Sequence, residues 1–307
     1  MRENPVEYQR GKEVMYWKLK TPLSNTENEE RINDYLLSLY VGNYSKFTVQ
    51  SYRGILQNFF REKEEIYSSI ESSKIQKWLT ELLTNCTEGT VAFRISVLNS
   101  FYQFCIEEGY MEKSPMKKRW YPRLPHAVPK YLEKREVVKV RRLIEEDNIR
   151  NRALVEFLLT SGCRVGEVHR LDRSDVDMER RTAMVIGKGQ KIRQINFSES
   201  CAILLERYLE SRSDQHPALF VTNHWSPRRL STKWMGTILN RIGTRAELSS
   251  SLHPHRLRHT FATDLLEKGA DLSFIGEELG HANLKTTQVY ANLPKQKIKL
   301  LYRRYMG

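Results

Sequence analysis

The sequence predicts a mainly α protein with a small β-sheet, organised as an N-terminal helical domain and a C-terminal mixed α+β domain. Three observations support this fold class. The chain has 307 residues, which is enough for two compact domains. Apolar residues recur at helical spacing along most of the chain, whereas residues 182–186 and 192–197 have the composition of strands that flank a turn. A proline-rich stretch at residues 113–131 interrupts both patterns and divides the chain.

The composition excludes several classes of protein. Hydrophobic residues make up 40% of the chain and aromatic residues 10%, which is enough for packed cores and excludes wholesale disorder. No run approaches the 18 apolar residues of a membrane span, and the N-terminus lacks the apolar core of a signal peptide, so we expect a cytoplasmic protein. The four cysteines are widely spaced without a CxxC, which is typical of reduced thiols rather than disulfides or a zinc site.

The charge is uneven along the chain. Residues 1–114 carry a net charge of −2 and residues 115–307 a net charge of +15, which together give the formal +13 of the whole chain. A basic C-terminal part suggests a polyanionic partner, most often nucleic acid. Charge alone is equally compatible with a soluble protein of high isoelectric point.

The N-terminal part contains four candidate helices. Residues 1–25 have no clear periodicity and are expected to form a loose tail. Thr26 and Glu29 fit a capping box, which would begin a first helix that runs to about Val41. Amphipathic segments follow, and Gly109 lies where a left-handed C-cap is expected. The result is a helical domain over residues 26–112, whose later helices lie near 46–62, 72–84 and 89–108.

The stretch 113–131 is expected to be an extended, basic linker. It contains four of the ten prolines and no acidic residue, so a continuing helix is disfavoured. Such a linker could cross a phosphate backbone, although a solvated tether has the same composition. The candidate DNA-binding residues in it are Lys117, Lys118, Arg119, Arg123 and Lys130.

The second domain is predicted over residues 132–293, followed by a C-terminal helical tail at 294–307. Its strands are 182–186 and 192–197, around a Gly187-Lys188-Gly189 turn, and residues 219–222 suggest a further short strand. Its predicted helices lie near 133–146, 150–161, 199–211, 231–245, 256–268, 271–279 and 284–290.

Four motifs of this second domain carry residues suited to phosphate chemistry. Arginine forks bind phosphate oxygens bidentately, a lysine adds a mobile charge, and a phenol is a candidate nucleophile. Each motif alone is weak, because a single tyrosine at helical spacing is usually core and a single Gly-Lys-Gly is usually a turn. Arg164 could equally be a helix cap paired with Glu167. The candidate residues, in chain order, are Arg164, Lys188, His255, Arg258, His281 and Tyr290.

The order and context of these residues resemble the tyrosine recombinase (phage integrase) family, in particular its Xer-type and small integrase members. The shared pattern is an arginine in Gly-x-Arg-x-x-Glu, a hairpin lysine, His-x-x-Arg, Leu-Gly-His, and a tyrosine nine residues after that histidine. The intervals here are 24, 67, 3, 23 and 9 residues, and RHTFAT and LGH match as text. The resemblance covers residues 27–307 and is strongest over 150–293, with no departure at the six positions.

The resemblance implies a role for each of these residues. Tyr290 would attack the scissile phosphate and form a 3′-phosphotyrosyl link. Arg164, Arg258 and His281 would hold the nonbridging oxygens, and Lys188 would protonate the leaving 5′ oxygen. His255 is the candidate base, and Glu167 would orient the cluster without touching DNA. No cofactor or metal is implied.

The resemblance also implies the partners and the architecture. The helical domain is similar to the SAM-like core-binding domain of the family, which would form a clamp around duplex DNA with the catalytic domain. The expected substrate is double-stranded DNA with partly palindromic core sites, bound by a homotetramer in the synaptic complex and by a monomer or dimer before it. Accessory proteins fit this scheme, and the tail 294–307 is expected to pack on a neighbouring protomer.

Two other functions are compatible with the same fold. A recombinase-derived protein could bind DNA without cutting it, although loss of a candidate residue would be expected in that case. A relaxing activity of the type IB topoisomerase kind would share the chemistry. The sequence does not separate a phage or mobile-element integrase from a transposon resolvase or a replicon dimer resolvase.

Overall fold

The computed structural model describes residues 15–122, 130–187 and 191–280. The chain divides into two compact units, residues 1–126 and 127–307. Each unit has its own hydrophobic core. Several predictions lie outside the described residues: the tip of the hairpin, the helix at 284–290 and the tail 294–307.

The first unit is the predicted four-helix domain. Its last helix contributes seven buried residues to the core, where Phe101 contacts the rings of Tyr35, Phe60 and Tyr102. Gly109 follows this helix with a φ of +75°, which confirms the predicted left-handed position. The helices are α1 (Thr26–Val41), α2 (Lys46–Phe60), α3 (Ser72–Asn85) and α4 (Glu88–Glu107), with a 3₁₀ turn at Tyr67–Ser69.

The beginning of the chain differs from the prediction in two respects. The N-cap of α1 is Asn25, whose side chain accepts a hydrogen bond from the backbone of Asn28, so the Thr26–Glu29 capping box is wrong. Glu29 instead accepts the backbone N–H of Leu23. Residues 15–25 are packed rather than loose, because Leu23 is buried in the core and Arg53 donates to the carbonyl of Tyr16.

The second unit is built around α6, whose side chains are buried on almost every face and which packs against α8 and α10. The predicted helices that fall within the described residues are present, although α10 begins two residues before the expected start. The short helix α7 was not predicted. The helices are α5 (Lys134–Glu145), α6 (Ile149–Ser161), α7 (Val165–Arg170), α8 (Glu199–Glu210), α9 (Thr232–Arg245), α10 (Pro254–Glu267) and α11 (Leu272–Leu279).

The sheet is antiparallel, in the order β1-β2-β3. Its strands are β1 (Val176–Asp177), β2 (Thr182–Ile186) and β3 (Ile192–Asn196), of which β1 was not predicted. The predicted strand at 219–222 is wrong: Val221 makes only an isolated bridge to Arg229, so this segment belongs to no ladder. The register pairs Val185 with Arg193 and Ile186 with Ile192, which places the two ends of the hairpin loop side by side.

The linker contains a single 3₁₀ turn at Lys118–Trp120, and no longer helix within its described residues. Among the helices of the described ranges, none combines the length and the hydropathy that a membrane span requires.

Candidate active site

The Gly-Cys-Arg-Val-Gly-Glu motif forms a sharp connection between two helices. α6 ends at Gly162, which has the left-handed φ of +61°, and α7 begins directly after Arg164. Arg164 is the N-cap residue, and its backbone N–H donates to Oε2 of Glu167 at 2.9 Å. Its guanidinium Nη1 donates to Oε1 of the same carboxylate, also at 2.9 Å. Helix cap and ion pair therefore hold Arg164 in one orientation.

Glu167 is the common acceptor of this cluster. Its side chain is only 1% exposed, so an unpaired charge there would be costly. A second arginine, Arg193 on β3, donates from Nη2 to Oε2 of Glu167 at 3.0 Å. Glu167 therefore links the guanidinium groups of Arg164 and Arg193.

Helix α10 supplies the histidine and the second predicted arginine. His253 caps the helix, with Pro254 at its first position, so the chain turns immediately before His255. Arg258 is buried and donates to the carbonyl oxygens of Gly162 and Leu279, each at 2.6 Å. It therefore joins the end of α6 to the end of α11.

The pKa of His255 is lowered from its usual value. The main cause is partial desolvation by the surrounding protein, and the nearby cations Arg258 and Arg164 add to it. The side chain is nevertheless exposed at the surface. A neutral, accessible imidazole near pH 7 has the properties of a proton acceptor.

The end of α11 receives donors from three arginines. The last carbonyl groups of a helix have no partner within the helix, so they accept hydrogen bonds from elsewhere. Arg193 Nη1 donates to the carbonyl of Glu278 at 3.1 Å, Arg258 to that of Leu279, and Arg164 Nη2 to that of Gly280 at 3.4 Å. Gly280 itself is left-handed, with a φ of +62°. The residue joined to Gly280 is His281.

The hairpin begins beside the same cluster. The backbone N–H of Gly187 donates to the carbonyl of Lys191 at 2.8 Å, which closes the base of the loop. A methyl group on Gly187 would lie 3.7 Å from Oε1 of Glu167. The residue that follows Gly187 is Lys188.

The structure thus brings together four predicted residues, namely Arg164, Glu167, His255 and Arg258. Lys188, His281, Tyr290 and the linker residue Arg123 lie outside the described residues. The remaining linker cations are exposed to solvent: Lys117, Lys118, Arg119 and Lys130.

Two further arginines of the region were not predicted. Arg256, beside the predicted His255, is structural, because it is 2% exposed and its Nη2 donates to both carboxylate oxygens of Glu136 at 3.0 and 2.8 Å. Arg193 belongs to the site cluster. A signal for it was present, since Arg193 and Ile195 share the inward face of a strand on which a charge is unusual.

The electrostatics of the cluster favour an anion. Arg164 and Arg193 share the carboxylate of Glu167, and Arg258 donates to the carbonyl of Gly162 in the same turn, so the guanidinium groups outnumber that carboxylate. Guanidinium groups match the geometry of phosphate oxygens. Within the described ranges, no group of three or more His, Cys, Asp or Glu side chains could hold a metal ion.

Comparison with known proteins covers nearly the whole chain. Residues 130–297 match the phage integrase family, and residues 32–109 match the N-terminal SAM-like domain of phage integrases. A tyrosine recombinase XerC of Listeria innocua is 32% identical over 293 residues, covering 90% of this chain and 96% of its own. A tyrosine recombinase XerC of Oceanobacillus iheyensis is 35% identical over 280 residues, covering 85% and 90%. The solved XerH site-specific recombinase, bound to a palindromic difH substrate after cleavage, has the same fold, with a TM-score of 0.69 at 20% identity over 97% of this chain and 93% of its own.

Proposed function

Because this chain belongs to the phage integrase family and is a tyrosine-type site-specific recombinase, we propose that Tyr290 is its nucleophile. The phenol oxygen of Tyr290 attacks the scissile phosphorus, a Tyr–O–P bond forms, and the P–O5′ bond breaks. The product is a 3′-phosphotyrosyl DNA and a free 5′-hydroxyl. A phenol has an ordinary pKa of about 10, so this attack needs a base or nearby cations.

The observation that carries the proposal is the convergence of Arg164 and Arg258 on the chain segment that precedes His281. Arg258 binds the carbonyl of Leu279 and Arg164 that of Gly280. A guanidinium group carries five N–H donors, a number and geometry suited to the nonbridging oxygens of a phosphate, whose charge increases in the transition state. His281, one peptide bond beyond Gly280, adds a hydrogen bond to the same phosphate.

Two residues handle the protons. His255 takes the proton of the Tyr290 phenol, and its lowered pKa supports this role because the imidazole is neutral near pH 7. Lys188 gives a proton to the leaving 5′ oxygen, and the position of Gly187 beside Glu167 supports delivery of that lysine to the site. Glu167 orients Arg164 and does not itself touch DNA.

The second half of the reaction reverses the first. A 5′-hydroxyl from a partner strand attacks the phosphotyrosyl bond, releases Tyr290, and forms a new phosphodiester. The number of phosphoester bonds is unchanged, so the exchange requires no nucleotide cofactor. Arginines supply the charge stabilisation that a metal ion provides in other phosphoryl transfer sites.

The substrate is duplex DNA with a partly palindromic core site. The helical domain, residues 26–112, and the catalytic domain, residues 132–293, clamp the duplex, and the linker 113–131 crosses its backbone. The exposed charges of Lys117, Lys118, Arg119 and Lys130 support phosphate contact by that linker. Strand exchange takes place in a homotetramer, in which the tail 294–307 packs on a neighbouring protomer, at the nucleoid in the cytoplasm.

Covalent capture tests the proposal. Genomic fragments are incubated with wild type, Tyr290→Phe and, as a matched control, Tyr44→Phe, which alters an exposed tyrosine of the helical domain. After denaturation in detergent, protein-linked DNA is sequenced. We expect wild type and Tyr44→Phe to retain one discrete site and Tyr290→Phe to retain none while still binding DNA.

Other results would point elsewhere. A covalent complex that persists in Tyr290→Phe would refute the nucleophile. Tight binding with no covalent DNA in any variant would indicate a DNA-binding protein without catalysis. Cleavage spread over many sequences, with fast relaxation and no strand exchange, would indicate a topoisomerase-like enzyme.

A further inference from the structure

Arg193 connects three elements of the site cluster. It lies on β3 with its side chain 17% exposed. One guanidinium nitrogen, Nη2, donates to Glu167 at 3.0 Å, and the other, Nη1, donates to the carbonyl of Glu278 at 3.1 Å. A single planar group therefore joins the hairpin, the Arg164–Glu167 turn and the end of α11.

A second hydrogen bond and a close contact stabilise the same junction, which is the place where β3 meets the end of α11. Asn196, also on β3, donates from Nδ2 to Oε1 of Glu278 at 3.0 Å. The Nε of Arg193 lies 2.4 Å from where a side chain on Gly280 would begin, so the guanidinium rests directly against that glycine. Arg193 therefore needs a glycine at position 280 as much as the left-handed turn does.

We propose that Arg193 is a positioning residue for DNA cleavage, on the basis of the proposed function. It acts through Glu167 and through the end of α11. It keeps residues 278–280, which precede His281, at a fixed position relative to the guanidinium groups of Arg164 and Arg258. By the same contacts it ties the hairpin that carries Lys188 to the rest of the site.

The consequences of losing Arg193 follow from its partners. Oε2 of Glu167 would retain only the backbone N–H of Arg164, and the carbonyl of Glu278 would lose its side-chain donor. The end of α11 would loosen, and the carbonyls that orient Arg164 and Arg258 would move with it. Displacement of catalytic groups by about 1 Å is enough to cost on the order of 100-fold in rate.

A matched control exists in the same domain. Arg141 donates from Nε and Nη2 to the carboxylate of Glu156, at 3.1 and 2.8 Å, and the side chain of Glu156 is also buried, with 5% exposed against 1% for Glu167. The hydrogen bonds of Arg141 to other described residues go to Glu156 and not to the site. Arg141→Gln therefore removes an ion pair with a buried carboxylate, from a more exposed arginine, and leaves the contacts of Arg193 intact.

The first measurement does not depend on catalysis. Hydrogen exchange of the full chain is followed by mass spectrometry over peptides covering residues 272–280. We expect exchange there to be roughly tenfold faster in Arg193→Gln than in wild type, as for a locally opened segment, and unchanged in Arg141→Gln. Equal protection in Arg193→Gln and wild type would refute the positioning role, whether or not Tyr290 proves to be the nucleophile.

The second measurement separates binding from chemistry. Single-turnover formation of the covalent complex is followed at saturating protein on the captured site, with Tyr290→Phe as the blank. We expect Arg193→Gln to lower the rate constant roughly 10- to 100-fold. The Kd for DNA should change less than about threefold, because phosphate contacts elsewhere dominate affinity. Arg141→Gln should match wild type in both.

Arg193→Lys decides between geometry and charge. Lysine keeps the charge, but as a single point donor it cannot span Glu167 and Glu278 together. We expect the cleavage rate of this variant to stay at least tenfold below that of wild type, because one of the two hydrogen bonds, to Glu167 or to Glu278, is lost. A wild-type rate in Arg193→Lys would reduce the role of Arg193 to charge balance, and a loss of DNA binding equal to the loss of rate would make it a contact residue. Either result would overturn the proposal.

Discussion

The ring of Phe261 occupies the space in which a side chain on Gly162 would lie. A Cβ atom on Gly162 would approach Cδ1 of Phe261 to 2.3 Å, and the φ of +61° disfavours any other residue there. The carbonyl of Gly162 is also an acceptor for Arg258. Gly162, two residues before Arg164, therefore permits both the left-handed turn and the packing of α10 against the end of α6.

We expect Gly162→Ala to lower the free energy of unfolding by roughly 2–4 kcal/mol, since overpacking adds to the backbone cost. The rate of cleavage should fall as well, because the backbone carbonyl of residue 162, which accepts a hydrogen bond from Arg258, would be displaced. Urea unfolding and single-turnover cleavage measure the two effects. Gly269→Ala is the control, because Gly269 has a positive φ but open space around it. An equal loss of unfolding free energy in both variants would mean that the ring of Phe261 moves aside without an energetic cost.

Replacing Glu167 by glutamine should destabilise the protein by roughly 2–4 kcal/mol. The buried side chain pairs with Arg164 and Arg193, and the amide of Gln would leave these guanidinium groups without a balancing charge. Denaturant unfolding measures the loss. Glu199→Gln removes a carboxylate from a longer, exposed pair with Arg181, and should cost less than about 0.5 kcal/mol. Similar costs for the two variants would contradict the central role of Glu167.

Much of this fold follows from local sequence signals. The helices that were predicted have clear periodicity or strong end signals, as at Gly109. The capping box at Thr26 was misassigned because Asn25, one residue earlier, competes for the same role and wins. α7 was missed because its six residues are too few to establish a period.

The sequence indicates candidate site residues but not the contacts that connect them. Motif context identified Arg164, His255 and Arg258, and their proximity in the structure is consistent with it. The sequence marks Arg193 as an unusual charge on the inward face of a strand, but it does not give the partners of Arg193, which lie 26 and 85 residues away. These contacts form only when β3 packs against the end of α11, and no local sequence pattern predicts that packing.

The stability of the protein should fall as the pH drops from about 6.5 to about 4, in part because of His259. Burial, with help from His255, Arg258 and His253, lowers the pKa of His259 from 6.5 to about 4. Between these two values the unfolded chain binds more protons than the native protein, so stability increases with pH across that window. The contribution is on the order of 2 kcal/mol, less than a full conversion of the shift, because solvent screens a half-buried ring.

His259→Gln should flatten that part of the pH dependence. Unfolding free energies measured by urea at intervals from pH 4 to pH 7 provide the test. The control is His224→Gln, which removes an exposed imidazole from a surface loop. An unchanged slope in His259→Gln would mean that other groups carry the acid sensitivity.

Neutralising the linker should weaken the salt dependence of DNA binding. Lys117, Lys118 and Arg119 are exposed, and each phosphate contact contributes about 0.9 to the slope of log K against log salt. Their combined replacement by glutamine should reduce the slope by up to about 2.7 if all three contact phosphate. Fluorescence anisotropy at several salt concentrations measures it. The control is the triple replacement of Lys134, Arg135 and Lys268, whose charges are already paired with acids. Equal slopes for wild type and the linker variant would leave the linker as a tether.

The proposed role of Lys188 as the acid for the leaving group predicts a specific chemical rescue. Lys188→Ala should reduce cleavage of ordinary DNA by roughly 100- to 10,000-fold, the range for loss of a general acid. A substrate with sulfur in place of the scissile 5′ oxygen has a leaving group that needs no proton, so it should be cleaved by Lys188→Ala at nearly the wild-type rate. Arg258→Gln is the matched comparison, because a defect in phosphate binding is not repaired by a better leaving group. If the sulfur substrate rescued both variants or neither, Lys188 would not be the proton donor.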